Sequence, residues 1–165
     1  MSSLGLSTVF SNLLGYSLSK APTVACPFFM PSRRLEHVGW VRPPRLPLVD
    51  PWGGTCHARA DDIVEPPDLQ QRELCNCGYA RGRCERFPGG EAADAIRFSI
   101  TGDAGGVIRM VYIIEKDHVP ASHGVLECSE LGEITGVSNL LAQQAKAFLE
   151  SYLHRRTPVG KPAAG

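Results

Sequence analysis

The chain of 165 residues has no surplus charge of either sign, with 17 Lys and Arg set against 17 Asp and Glu. That balance excludes the broad basic surface by which proteins hold nucleic acid or anionic membranes without sequence preference. No apolar run approaches the ~20 residues that a bilayer-spanning helix needs. A P-loop, a G-x-G-x-x-G fingerprint, an H-E-x-x-H helix and a G-x-S-x-G elbow are all missing. So are C-x2-C pairs of any kind and the C-x3-C-x2-C cluster frame. What remains is an ordinary soluble composition, 43% apolar and 21% charged, long enough to build one core.

Helical periodicity is also missing from residues 21–90, whereas Leu6, Val9, Phe10, Leu13 and Leu14 fall on one helical face. Nine of the thirteen prolines lie between Pro22 and Pro67, within runs such as "CPFFMP" and "RPPRLPLVDPWGG". Proline fixes φ, removes a donor and restricts its predecessor, so long helices and central strands are excluded there. One short helix is predicted: "PPDLQQRELC" sets Pro67 in a first turn, Asp68 at the positive end and Gly78 beyond the exit.

The second half is regular. Ile96, Phe98 and Ile100 alternate with Arg97, Ser99 and Thr101, which predicts a half-buried strand. "GDAGG" turns the chain into a second strand over Val107–Ile114. "DHVPAS" breaks the pattern before a short third strand, His123–Cys128. Val137, Leu140, Leu141, Ala145, Phe148, Leu149, Tyr152 and Leu153 then follow helical spacing through Arg156, with Thr135 or Ser138 as cap. The expected fold is α+β: a small antiparallel sheet, a packed C-terminal helix and an irregular Cys/Pro-rich metal-binding lobe. Residues 1–20 read as an N-terminal helix or tail, 21–156 as one domain (21–90 the lobe, 91–156 sheet plus helix), and 157–165 as a disordered tail.

The N-terminal "TVAC" is similar to the lipobox of bacterial lipoproteins. However, no Lys or Arg precedes Lys20, and Gly5, Ser7, Ser11 and Asn12 interrupt the apolar run. The expectation is therefore a cytoplasmic protein, in a compartment where structural disulfides are rare.

Five of six cysteines fall in the irregular half, as C-x29-C-x18-C-x-C-x6-C. Four thiolates can ligate zinc or an iron–sulfur cluster. Zinc usually recruits C-x2–4-C pairs, whereas a larger cluster accepts donors from distant segments. The spacing therefore favours a [4Fe–4S] cluster on Cys26, Cys56, Cys75 and Cys84, with Cys77 as substitute for Cys75 and zinc as the alternative cofactor. Arg72, Arg81, Arg83 and Arg86 would offset its negative charge. Cys128 reads as a buried strand residue.

"CPFFMP", "LPLVDPWGGTC" and "CNCGYARGRCERFP" together resemble a group of small bacterial proteins on the same cysteine frame, to which no activity is attached. The resemblance spans roughly residues 26–128 and implies a shared cysteine core. Isolated upstream cysteines with a later cluster are also similar to the iron–sulfur staples of some nucleases, but nuclease carboxylate and lysine motifs are absent. The functional expectation is a metal-binding protein in a structural, electron-transfer or redox-sensing role, with a redox or regulatory protein partner. The rival is a zinc-stabilised interaction module. Catalysis is the weaker reading: Glu115, Asp117, His118 and His123 could form an acid–base or metal site, but polar residues belong in such a loop.

Overall fold

The computed structural model describes residues 25–36, 48, 50–129 and 134–156. The N-terminal helix or tail and the C-terminal tail lie outside the described residues. The fold is α+β, with two antiparallel sheets and a C-terminal helix. Among the described residues no helix is long and apolar enough to cross a membrane.

The larger sheet has the order β3-β4-β5: β3 (Ala95–Ala104), β4 (Val107–Lys116) and β5 (Val119–Ser129). Both hairpins close on two residues at positive φ, the geometry whose twist matches the strands. Gly105 and Gly106 stand at +63° and +78°, Asp117 and His118 at +50° and +64°. The segment "DHVPAS" is therefore no break. Asp117 and His118 make the turn, and β5 begins at once with Val119.

The smaller sheet pairs β1 (Phe29–Arg34) with β2 (Trp52–Cys56). This pair is a departure from the expected irregular lobe. One hydrophobic cluster joins Cys26, Phe29, Trp52 and Cys75 to Ile96, Phe98, Met110 and the helix residues Leu141, Ala145 and Phe148. The cysteine-rich half is thus a wall of the common core. No separate lobe exists among the described residues.

The free side of β2 is completed by side chains. α1 (Asp68–Gln70) runs into a π-helical turn (Gln71–Cys75), closed by the bond from Asn76 N to Gln71 O at 3.0 Å. Gln71 and Asn76 are buried there, and their amides act as a substitute strand. Trp52 N donates to Asn76 Oδ1 at 2.9 Å, Asn76 Nδ2 donates to Trp52 O at 2.9 Å, and Gly54 N donates to Gln71 Oε1 at 3.1 Å. Asn76→Ala should orphan both Trp52 backbone groups in a dry interior and cost about 2 kcal/mol, read as a lower urea midpoint at unchanged slope.

α2 (Asn139–Arg156) starts where Ser138 Oγ accepts from Leu141 N at 3.4 Å. It lies along β1 and reaches β3 through Phe148 stacked on Phe98, centroids 5.5 Å apart. Tyr152 Oη and Arg156 also bond Asp103 on β3.

Candidate functional site

Cys26, Cys56, Cys75 and Cys84 line one pocket. Each arrives by a different local device. Cys26 opens a turn in which Phe29 N donates back to Cys26 O at 3.1 Å, with Pro27 at the position that its fixed φ suits. Its own N–H donates to Cys75 O at 3.0 Å, which sets these two backbones side by side. Cys56 ends β2 opposite Phe29. Cys75 ends the π-helical turn, after which Gly78 (φ +69°) and Tyr79 (φ +51°) reverse the chain. Cys84 is returned by a bond from its N–H to Ala80 O at 2.8 Å, past Gly82 at φ +73°.

Three of the four are buried and Cys84 is half-buried. The free volume between them is about 10 Å³, roughly the space of one water. Phe28 and Phe87, edge to face at 5.3 Å, also line the pocket, and the Arg81 guanidinium covers the Phe87 ring. Burial pushes the Cys26 thiol up to about 12; the Phe28 N–H opposes this, and Cys56 and Cys84 add to it. Cys75 is raised in the same way, first by burial and then by Cys26, Cys56, Cys84 and Cys77. Burial thus keeps the Cys26 and Cys75 thiols protonated.

Two polar groups reach the pocket's sulfurs. Gln70 Nε2 donates to Cys84 Sγ at 3.2 Å. The Arg86 guanidinium, anchored on Asp62, lies near enough to Cys56 to interact with it electrostatically. Cys77 does not line the pocket, and its thiol donates to Arg72 O at 3.3 Å. Cys128 is a buried strand residue whose thiol lies 3.6 Å from Ile108 O.

The metal expectation is corrected here. Among the described residues, no group of three or more His, Cys, Asp or Glu side chains is arranged to hold a metal ion. A tetrahedral thiolate site needs sulfurs about 2.3 Å from a shared centre. Cys26, Cys56, Cys75 and Cys84 instead share their pocket wall with aromatic and aliphatic side chains. Neither the [4Fe–4S] cluster nor its zinc alternative has a ligand set, and the metal-based structural, electron-transfer, redox-sensing and interaction roles fall with them.

Glu115, Asp117 and His118 of "EKDHVPASH" gather around the Tyr79 reversal. Glu115 is buried, taking bonds from Tyr79 Oη and Arg97. His118 stacks on Tyr79 at 4.1 Å, Asp117 N donates to Asp94 Oδ2 at 2.9 Å, and His123 stands on β5 opposite Ile113. Together they pin the Tyr79 reversal to the β4–β5 hairpin.

Sequence reasoning missed three buried amides: Gln71, Asn76 and Gln144. Gln144 Nε2 donates to Cys26 O at 2.9 Å and to Phe29 O at 2.6 Å, tying α2 to the first cysteine. Its signal was available, since it falls within the apolar stripe between Leu141 and Phe148. Gln71 and Asn76 carried none. No protein-family model, curated protein or solved structure matches this chain.

Proposed function

We propose that this is a cytoplasmic thiol protein in which the four-cysteine pocket responds to peroxide by forming a disulfide. The observation that carries this reading is the convergence of four free thiols, from separate segments, on one small apolar pocket. Neutral buried thiols resist oxidation, so reaction begins at half-buried Cys84. Its thiolate sulfur gives an electron pair to a peroxide oxygen, the O–O bond breaks, and hydroxide leaves to take up a proton. The sulfenic acid then meets the sulfur of Cys56, which attacks Cys84 Sγ and expels water. Two thiols and one peroxide give one disulfide and two waters. The Arg86 guanidinium, held beside Cys56 by Asp62, offers positive charge near the attacking atom.

The product would join the end of β2 to the segment after Tyr79, which the reduced protein holds only by non-covalent contacts. A cross-link of this kind withdraws loop entropy from the unfolded chain and fixes that wall of the core. A protein partner that distinguishes the free from the locked wall would complete a regulatory role. Stoichiometric hydrogen peroxide, followed by alkylation and peptide mapping, tests the reading. The expected result is a mass lower by two hydrogens, a Cys56–Cys84 cross-linked peptide reversed by dithiothreitol, and no cross-link in Cys84→Ser. Six alkylatable thiols after peroxide, or Cys84 sulfinic acid without a cross-link, would overturn it.

A further inference from the structure

β5 is an 11-residue strand at the end of the larger sheet. The opposite edge is occupied at both ends. Ala25 and Ile96 exchange two backbone bonds of 3.0 Å, and Tyr152 and Arg156 hold Asp103. Among the described residues, no backbone hydrogen bond joins the outer side of β5. The usual protections of an edge are thin here. The strand has no Lys or Arg, its one proline is Pro120 near the start, and its pairing with β4 runs without a bulge from Ser122 to Ser129. Val119 and Val125 are 59% and 58% exposed.

We infer that β5 pairs antiparallel with β5 of a second copy, on a twofold axis through Val125. The register follows from face and charge. Leu126 and Cys128 face the core while Val125 and Glu127 face out, so only registers that pair odd with odd positions keep each side chain on its side. Centring on His123 sets His against His, and centring on Glu127 sets Glu against Glu. Centring on Gly124 opposes Ala121 to Glu127 and pairs no charge. With Val125 on the axis, each His123 stands opposite the partner's Glu127, and the two Val125 side chains meet. Val111, cross-strand neighbour of Val125, extends this contact to a strip of four valines across the joined sheets. Glu127 already holds Arg109 through Nε at 2.8 Å, which orients its carboxylate on this face.

The inference is independent of the thiol chemistry. Sedimentation of the reduced chain should show a concentration-dependent dimer. Val125→Lys and Val125→Glu each place like charges on the axis and should weaken it at least ~10-fold; mixing the two variants should restore a dimer. His123→Glu should weaken association, and adding Glu127→His to it should recover it. The substituted side chains are exposed, so unchanged thermal melts will show that the fold persists. A monomer at all concentrations, a dimer indifferent to Val125→Lys, or no rescue on mixing overturns the inference.

Discussion

Gly54→Ala is expected to be the most damaging glycine-to-alanine change among the described residues. A Cβ at Gly54 would lie 2.0 Å from Met30 O and 2.9 Å from Pro31 Cα, both backbone of the paired strand β1. Neither can swing aside as a side chain does. On the other side of β2 the buried Gln71 amide already stands 3.1 Å from Gly54 N, so retreat from β1 runs into it. Overpacking of this kind costs about 3 kcal/mol or more, a large part of a small domain's stability. Gly53 is the internal control. Its added Cβ would meet only the tip of the Arg33 side chain, at 2.9–3.1 Å. Gly53→Ala should therefore cost less than about 1 kcal/mol. Urea unfolding of the two variants separates them. Similar midpoints would show that β1 and β2 are not packed backbone against backbone. Because β2 ends at Cys56 and β1 starts beside Cys26, Gly54→Ala should also speed alkylation of both cysteines.

That glycine explains much of what the sequence concealed. Trp52–Cys56 contains adjacent glycines and shows no alternation, because close backbone approach and not side-chain packing selects its residues. The hairpin over Ala95–Lys116 was legible because its core face alternates, and α2 because its apolar stripe repeats at helical spacing. β5 was half legible: Asp117 and His118 adopt a turn usually signalled by Asn-Gly, and Pro120 looked like an interruption. The cysteines divide in the same way. Proline and glycine beside Cys26, Cys75 and Cys84 marked the turns that gather them. Whether gathered thiols converge on one ion depends on side-chain direction, and no spacing rule reports that. The Gln71 and Asn76 amides were hidden because buried polar groups betray themselves only through their partners, which here are backbone groups of a strand 17 to 24 residues away.

Alkali should destabilise the protein steeply, starting near pH 9. A thiol raised by burial stays protonated in the folded state after the unfolded chain has lost that proton. Its contribution is thus complete below the unfolded value of 9.0 and is lost as pH rises toward the folded value, about 12 for Cys26. Three pH units at about 1.4 kcal/mol each make roughly 4 kcal/mol from Cys26 alone. Cys75 is displaced in the same direction by the same cause, with three pocket neighbours and Cys77 adding to it. Tyr79, raised first by burial, and Tyr152, raised first by its bond to Asp103, contribute to the same slope, so the wild-type curve alone does not isolate the thiols. Cys26→Ala does. It loses some stability at neutral pH through its cavity, but its decline between pH 9 and 12 should be shallower by up to one proton's worth at each step. Urea titrations at intervals from pH 8 to 11 measure that difference in slope. Parallel curves for wild type and Cys26→Ala would mean that water already reaches Cys26, and the pocket would then lose the dryness that keeps its thiols in reserve.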